Sequence, residues 1–383
     1  MTGDTDEMRA ARALLPRFAE RAAVWDRERR YCQENVVDLA EAGLMGMTIP
    51  RALGGAGLGL AEVVPIVEAV AGACTLTARV LVEGNMGALT AVMAYGTAAQ
   101  RRLVADLVLA GDKPAIAITE PGAGSDATAM ETRARRVPGG WRINGVKHWI
   151  TGGGVSKLHL IFARTGDGIR GFLTLPGPGL RVARLERTMG LCGMPEAELR
   201  LEGLFVADDM ALPDVGFAEL MAAYNAQRVG AGTIALGIAA EAARLAREHL
   251  LGRRQFDRPL AEFQGLQWML ADMDVEIEAA RLMLHDAARS AGPDGMPDRT
   301  KAARAKLMAS EMAVRVVDRA LQMHGAAGYG DGTPIERMYR DVRMFTIGGG
   351  TAQVLRTQIA SHVLGRRLPQ RLERPAPAGM AAS

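Results

Sequence analysis

The sequence predicts an α+β protein in three successive parts. A helical domain spans residues 1–112, a β domain 113–218 and a helical bundle 219–365, with a tail over 366–383 expected to be disordered. Three observations carry this reading. Ala, Leu, Glu and Arg dominate the first part, which has no strand-rich stretch. The second breaks into short apolar runs separated by Gly, Pro and Asp turns. In the third, apolar residues recur at helical spacing.

The first part is interrupted by Ile49-Pro50 and by Gly54-Gly55-Ala56-Gly57-Leu58-Gly59, which read as a loop. The glycine run has neither the preceding strand nor the following Lys-Ser/Thr of a phosphate cradle, so it is expected to be structural. In the second part the apolar runs lie at 115–118, 141–143, 158–162, 171–175 and 199–201. No amphipathic helix fills the gaps, so an antiparallel sheet or barrel is expected rather than βαβ units. Asn144-Gly145 is a two-residue hairpin signal between 141–143 and 146–149. In the third part Leu266, Leu270, Met273, Ile277, Ala280 and Leu284 alternate steps of four and three, as do Leu307, Ser310, Val314, Val317 and Leu321. Both series predict buried seams of long bundle helices, with Pro293 and Pro297 in the loop between them.

Composition excludes several function classes. The 383 residues include 46 Lys plus Arg, only five of them Lys, and 43 Asp plus Glu, a net charge of +3. An excess that small argues for no nucleic-acid and no membrane partner. At 49% apolar the chain is not a disordered one. Cys32, Cys74 and Cys192 are odd in number and far apart, so no disulfide framework is expected, and a reducing cytoplasm is the expected location. No 18-residue apolar run is free of charge, so no transmembrane helix is expected. The first 30 residues mix acids with arginines, and no signal peptide is expected. His148, His249, His285 and His324 show no ligand spacing with Cys or acids, so no metal is expected.

Four motifs, in this order, resemble the acyl-CoA dehydrogenase family. They are Ile118-Thr119-Glu120-Pro121-Gly122-Ala123-Gly124-Ser125-Asp126; Ile143-Asn144-Gly145-Val146-Lys147-His148-Trp149-Ile150-Thr151-Gly152; Arg253-Arg254-Gln255-Phe256-Asp257-Arg258-Pro259-Leu260; and Gln322-Met323-His324-Gly325-Ala326-Ala327-Gly328-Tyr329-Gly330, followed by Gly350-Thr351-Ala352-Gln353. The resemblance implies an N-terminal helical domain, a middle β-barrel and a C-terminal four-helix bundle. It also implies a homotetramer, an acyl-CoA thioester as substrate, and FAD lying between the β domain and the bundle with its ADP half reaching a neighbouring subunit. By the same resemblance Thr119 and Ser125 bond the flavin's pyrimidine edge, and Trp149 and Thr151 cover and bond its ring. Arg253 and Phe256 hold the pyrophosphate and adenosine, an Arg giving bidentate phosphate contacts, and Gln322, Gly325, Thr351 and Gln353 complete the cofactor set.

Family members remove the α-proton of an acyl-CoA with a glutamate, since so weak a carbon acid needs a positioned carboxylate and an activated thioester carbonyl. In most members that Glu immediately precedes a Gly-Thr pair; here the segment is Ile347-Gly348-Gly349-Gly350-Thr351, and Gly349 holds the position. In a minority the Glu sits on a bundle helix before an Arg; here that stretch is Tyr224-Asn225-Ala226-Gln227-Arg228, and Gln227 holds it. Neither group takes a proton at neutral pH. Arg79, four residues before Glu83-Gly84-Asn85, aligns with the arginine by which dehydrogenases of dicarboxylic acyl-CoAs hold the distal anion. The spacing also allows an intrahelical Arg79–Glu83 pair.

Arg79 together with Gly349 and Gln227 resembles one branch, the 3-sulfinopropionyl-CoA desulfinases, which release sulfite and leave propionyl-CoA. On that reading Arg79, Gln227 and Gly349 define the catalytic site, with Glu83 and Arg228 beside Arg79 as substrate residues. The alternative is a dehydrogenase or reductase of a polar or dicarboxylic acyl-CoA whose base has moved, Glu83 being the nearest candidate. A third reading, a DNA-binding flavoprotein, needs a concentrated basic face, whereas Arg315 and Arg319 are interleaved with acids such as Asp318.

Overall fold

The computed structural model describes residues 5–213 and 215–368, so from residue 369 onward the expected disordered tail lies outside the described residues. Six helices open the chain: α1 (Asp6–Glu28), α2 (Gln33–Glu41), α3 (Leu60–Ala73), α4 (Thr75–Glu83), α5 (Ala88–Tyr95) and α6 (Ala98–Leu109). Their ends follow from local chemistry. Thr5 caps α1 by accepting from the Met8 amide at 3.1 Å, and Thr97 with Gln100 forms a capping box on α6. The glycine run between α2 and α3 is a packing device: a Cβ on Gly55 would lie 2.2 Å from the Ile49 carbonyl oxygen.

Seven strands follow: β1 (Ala115–Ala117), β2 (Arg133–Val137), β3 (Gly140–Thr151), β4 (His159–Thr165), β5 (Gly168–Thr174), β6 (Leu180–Glu186) and β7 (Glu196–Ala207). They form one sheet in the order β1-β4-β2-β3-β7-β6, with β5 paired to β4. The sheet is mixed, for β4 pairs in parallel with both β1 and β2. Asn144-Gly145 is not a hairpin turn, as the dipeptide suggested. β3 runs straight through it, and the β2–β3 turn lies at Gly139, with φ 74°. Gly145 marks a bulge instead, where a Cβ would come within 2.3 Å of Thr132 Oγ1, and the Asn144 side chain accepts from the Gly203 amide at 2.8 Å. Inside the sheet, Trp141 meets Phe172 edge-on at 5.4 Å.

The remainder is helical. α7 (Phe217–Gly252) leads through a short hairpin, β8 (Arg254–Gln255) and β9 (Arg258–Pro259), to α8 (Gln264–Arg289) and α9 (Arg299–His324). α10 (Ala326–Tyr329), α11 (Pro334–Val342) and α12 (Ala352–Val363) complete it. On α8 the expected seam is buried at Met273, Ile277, Ala280 and Leu284. On α9 the buried face is wider and shifted. Leu307, Val314 and Leu321 are only partly buried, while Ala305, Lys306, Ala309, Ala313 and Val316 are enclosed. Arg315 and Arg319 of α9 both pair with Glu276 of α8, so these cations staple two helices together.

By length and composition α7 is apolar enough to cross a membrane, although no run of 18 residues in it is free of charge; 72% of its most apolar window is buried inside the protein. It packs against α3, α4, α5, α8 and α9. Glycines allow that: a Cβ on Gly237 would sit 2.4 Å from the Glu68 carbonyl oxygen and 2.6 Å from the Ala71 Cβ, both on α3. Backbone cannot swing aside as a flexible side chain can, so Gly237→Ala is expected to lower unfolding stability by about 1–3 kcal/mol, the usual cost of overpacking. Denaturant unfolding followed by far-UV circular dichroism measures it.

Candidate active site

The three parts meet around a cavity of about 2200 Å³. Its wall takes Arg79 and Glu83 from α4, Thr119 and Ser125 from the loop after β1, and Trp149 and Thr151 from the end of β3. Gln227 and Arg228 of α7 and the segment 347–351 complete the lining. The structure therefore brings together Arg79, Glu83, Thr119, Ser125, Trp149, Thr151, Gln227, Arg228, Gly349 and Thr351. Arg253, Phe256, Gln322, Gly325 and Gln353 are not on this wall; they are exposed, Arg253 and Phe256 at the β8–β9 hairpin, Gln322 and Gly325 at the C-terminal end of α9 and Gln353 at the start of α12.

The intrahelical pair that the spacing allowed does form at Arg79. Its Nη2 pairs with Glu83 Oε1 at 2.9 Å, and it donates to Thr151 Oγ1 at 3.4 Å. Its Nε is buried without a partner, leaving hydrogen-bonding capacity unspent. The other oxygen of Glu83 pairs with the buried Lys113 ammonium. Glu83 is thus held between two cations, with each carboxylate oxygen engaged by one of them.

The two family seats for the base are occupied as follows. Gln227 is 4% exposed, and its amide oxygen is buried without a partner. It faces Gly87, where a Cβ would stand 2.6 Å from that oxygen. Gly349 lies in the left-handed region, φ 75°, with nothing nearer to a built Cβ than Lys306 Cε at 3.8 Å. There is room for a side chain, but not on a backbone that L residues favour. Arg228 Nε donates to the Gly349 carbonyl at 3.2 Å, and Lys306 Nζ to the Gly350 carbonyl at 2.8 Å. Burial, and then the Arg228 charge, pull the Lys306 ammonium down to about 7.

On the sheet side a buried carboxylate fixes the loop after β1. Glu120 accepts from Lys147 Nζ at 2.8 Å and from the amides of Glu131 and Thr132 at 2.5 and 3.0 Å. Gly122 and Gly124 beyond it have open space where a Cβ would stand. Trp149 is half exposed with φ 57°, a conformation rare for an aromatic residue, and stacks on His148 at 5.1 Å. Trp149 is thus held on the cavity lining rather than in the core. An open glycine loop, a presented aromatic plane and hydroxyls at Thr119, Ser125 and Thr151 are what a planar, hydrogen-bonding ring system needs, so the residues present fit a flavin.

Sequence reasoning missed Glu196, the first residue of β7, which also lines the cavity. Both its oxygens accept from Thr151 Oγ1, at 2.9 and 3.0 Å. Burial pushes this carboxyl up to about 7, against the opposing pull of Arg79 and the Thr151 hydrogen bond. The available signal was an acid placed next to Pro195 at a strand start, too common to single out. Among the described residues no three His, Cys, Asp or Glu side chains gather as a metal site would require.

Comparison with known proteins matches the chain along most of its length. Models of the acyl-CoA dehydrogenase N-terminal, middle and C-terminal domains match residues 5–112, 115–204 and 214–364. The 3-sulfinopropanoyl-CoA desulfinase of Paraburkholderia xenovorans is 51% identical over 374 residues, 94% of this chain and 96% of the relative. The 3-sulfinopropanoyl-CoA desulfinase of Advenella mimigardefordensis is 52% identical over 367 residues, 92% of this chain and 91% of the relative. Butyryl-CoA dehydrogenase from Megasphaera elsdenii has the same fold, with a TM-score of 0.91 at 30% identity, covering 95% of this chain and 99% of its own. Proteins of this kind depend on FAD. In fold and in sequence along nearly its whole length, this chain belongs to the acyl-CoA dehydrogenase family.

Proposed function

We propose that this chain is a 3-sulfinopropanoyl-CoA desulfinase, an FAD-holding homotetramer of the cytoplasm that converts 3-sulfinopropionyl-CoA to propionyl-CoA and sulfite. One observation carries the reading. The cavity offers a guanidinium with unspent hydrogen-bonding capacity at Arg79, and no carboxylate at either family seat, which hold Gly349 and Gln227. Such a wall suits a substrate that ends in an anion and loses a Cβ–S bond rather than an α-proton. The kinship to two desulfinases at about half identity supports it.

Arg79 holds the sulfinate oxygens by charge-assisted hydrogen bonds, and the Glu83–Lys113 pair behind it fixes the guanidinium. Gln227 orients the thioester or a water through an amide that has no competing partner on its oxygen. Thr119, Ser125, Trp149 and Thr151 hold the flavin ring, with Thr351 beside them. When bound, FAD supplies a flat surface for the acyl chain and a centre able to accept hydride. The exposed Arg253, Phe256, Gln322, Gly325 and Gln353 serve the ADP half of a neighbouring subunit's cofactor. Assembly is supported by Trp268, Val275 and Leu282, spaced seven apart on α8 and 60–67% exposed in a single chain.

The FAD-loaded protein is expected to release sulfite from 3-sulfinopropionyl-CoA with no bleaching of the flavin. Bleaching by glutaryl- or succinyl-CoA without air, and no sulfite above a no-enzyme control, would establish the dehydrogenase reading instead. Arg79→Gln removes one charged anchor and is expected to raise KM about 10- to 100-fold, the equivalent of a charge-assisted hydrogen bond. Gly349→Glu is expected to confer bleaching by a saturated acyl-CoA. It also costs about 1–2 kcal/mol of stability, because a side chain enters a left-handed backbone, and thermal unfolding reads that loss.

A further inference from the structure

We propose that Glu196 is the proton donor of the C–S cleavage, delivering its carboxyl hydrogen to the carbon that the sulfur leaves. This rests on the desulfinase reading and adds to it the acid that the reaction requires. When the Cβ–S bond breaks, its electron pair stays on carbon, and carbon must gain a proton. Neither Gly349 nor Gln227 has one to give. Among the carboxyls on the cavity wall, Glu83 is held between Arg79 and Lys113, and Asp126 lies exposed on the loop after β1. Glu196 remains.

Its position suits the role. Glu196 is the cross-strand partner of Thr151 on β3 and of Glu186 on β6, so its side chain stands beside Thr151 at the cavity edge. Both carboxylate oxygens are within 3.0 Å of Thr151 Oγ1, and that hydroxyl is 3.4 Å from Arg79 Nη2. The acid is therefore one hydroxyl away from the guanidinium that holds the sulfinate. A substrate anchored on Arg79 brings the adjacent carbon toward Glu196.

The charged and titratable groups around it are mixed: Arg79 and Glu83 from α4, Lys113 before β1, Glu186 on β6 and Tyr224 on α7. Enclosure dominates, and it keeps the carboxyl protonated to about 7, where a general acid is most useful. The step balances without an external oxidant. Water oxygen bonds to sulfur, the C–S pair moves to carbon, and the Glu196 proton completes the new C–H bond. Of the two water hydrogens, one returns to the carboxylate and one leaves on hydrogen sulfite. Sulfur is oxidised and carbon reduced within the substrate.

Glu196→Gln in the FAD-loaded full-length protein keeps size and polarity and removes the proton. Sulfite release is expected to lose about 100-fold or more in kcat, with KM changed less than about threefold because Arg79 still binds the anion. In the unmodified protein kcat is expected to fall as pH rises through about 7, since the carboxyl is then ionised, and the variant is expected to lack that limb. Glu196→Asp, which keeps the proton at a shorter reach, is expected to retain the limb at reduced kcat, and it tests the proposal if the Gln variant fails to hold FAD. A Gln variant with near-normal kcat and the same alkaline limb overturns the proposal, as does an Asp variant that lacks the limb. If the unmodified protein itself releases no sulfite, the desulfinase reading fails first and takes this proposal with it.

Discussion

A charge removed from water must find a partner inside the protein, and at this cavity one carboxylate answers for two cations. Glu83 on α4 joins Arg79, from its own helix, to Lys113, which enters from the segment leading into β1. The bond between α4 and that segment is therefore also the bond between the N-terminal helices and the sheet. Remove the carboxylate and two cations face each other with little water. The Arg79 guanidinium on the cavity wall is thus not an independent ornament of the site; its orientation is tied to the pairing that joins α4 to the segment before β1.

The same junction depends on close backbone approach. Without Gly237 the glycine-bearing mast α7 could not lie against α3, and Gly230 lets Val82 and Met86 come within contact. That approach brings Gln227 and Arg228 of α7 onto the same cavity lining as Arg79 of α4. A second clasp lies on the far side. Arg340 of α11 pairs with Asp26 of α1, and Asp341 accepts from the Leu191 amide at 2.5 Å, pinning the β6–β7 connection from which Glu196 starts. Burial pushes the Asp341 carboxyl up to about 6, so the folded state favours its protonated form and this group contributes less stability as pH rises through that value.

How legible was this in the chain? The helix–sheet–helix order was, because hydrophobic period is set locally. Arg79, Gln227 and Gly349 were found because fixed spacings from recognisable motifs located them, and the cavity does gather them. Asn144-Gly145 misled because the dipeptide reports a backbone able to turn, whereas Thr132 pressing on Gly145 made the glycine a site of close approach. On α9 Ser310 and Val317 of the expected seam are buried, whereas Leu307, Val314 and Leu321 lie at its margin because alanines fill most of the buried face. Glu196 stayed hidden for a sharper reason. In β7 the inward positions are Ala197, Leu199 and Leu201, so alternation assigns Glu196 to the face that meets water. Here that face meets the cavity, and only tertiary structure says so.

The missing glutamate has a further consequence at Lys306. Its ammonium is fully buried, with the Gly350 carbonyl as its hydrogen-bond acceptor and Arg228 as its charged neighbour. A carboxylate at position 349 would stand close to the Lys306 side chain, whose Cε is 3.8 Å from a built Cβ, and would favour the charged form. With glycine there, nothing offsets burial, and the amine sits near neutrality, at about 7. Replacing the glutamate therefore removes more than a base. It leaves this segment with an Arg228 charge and a half-neutral lysine, each donating to a backbone carbonyl, while the carboxyl proposed as the acid is Glu196. On the proposed chemistry the carboxyl that serves the reaction stands beside Arg79, one Thr151 hydroxyl away, and not at position 349, a placement that suits cleavage at the β-carbon better than abstraction at the α-carbon.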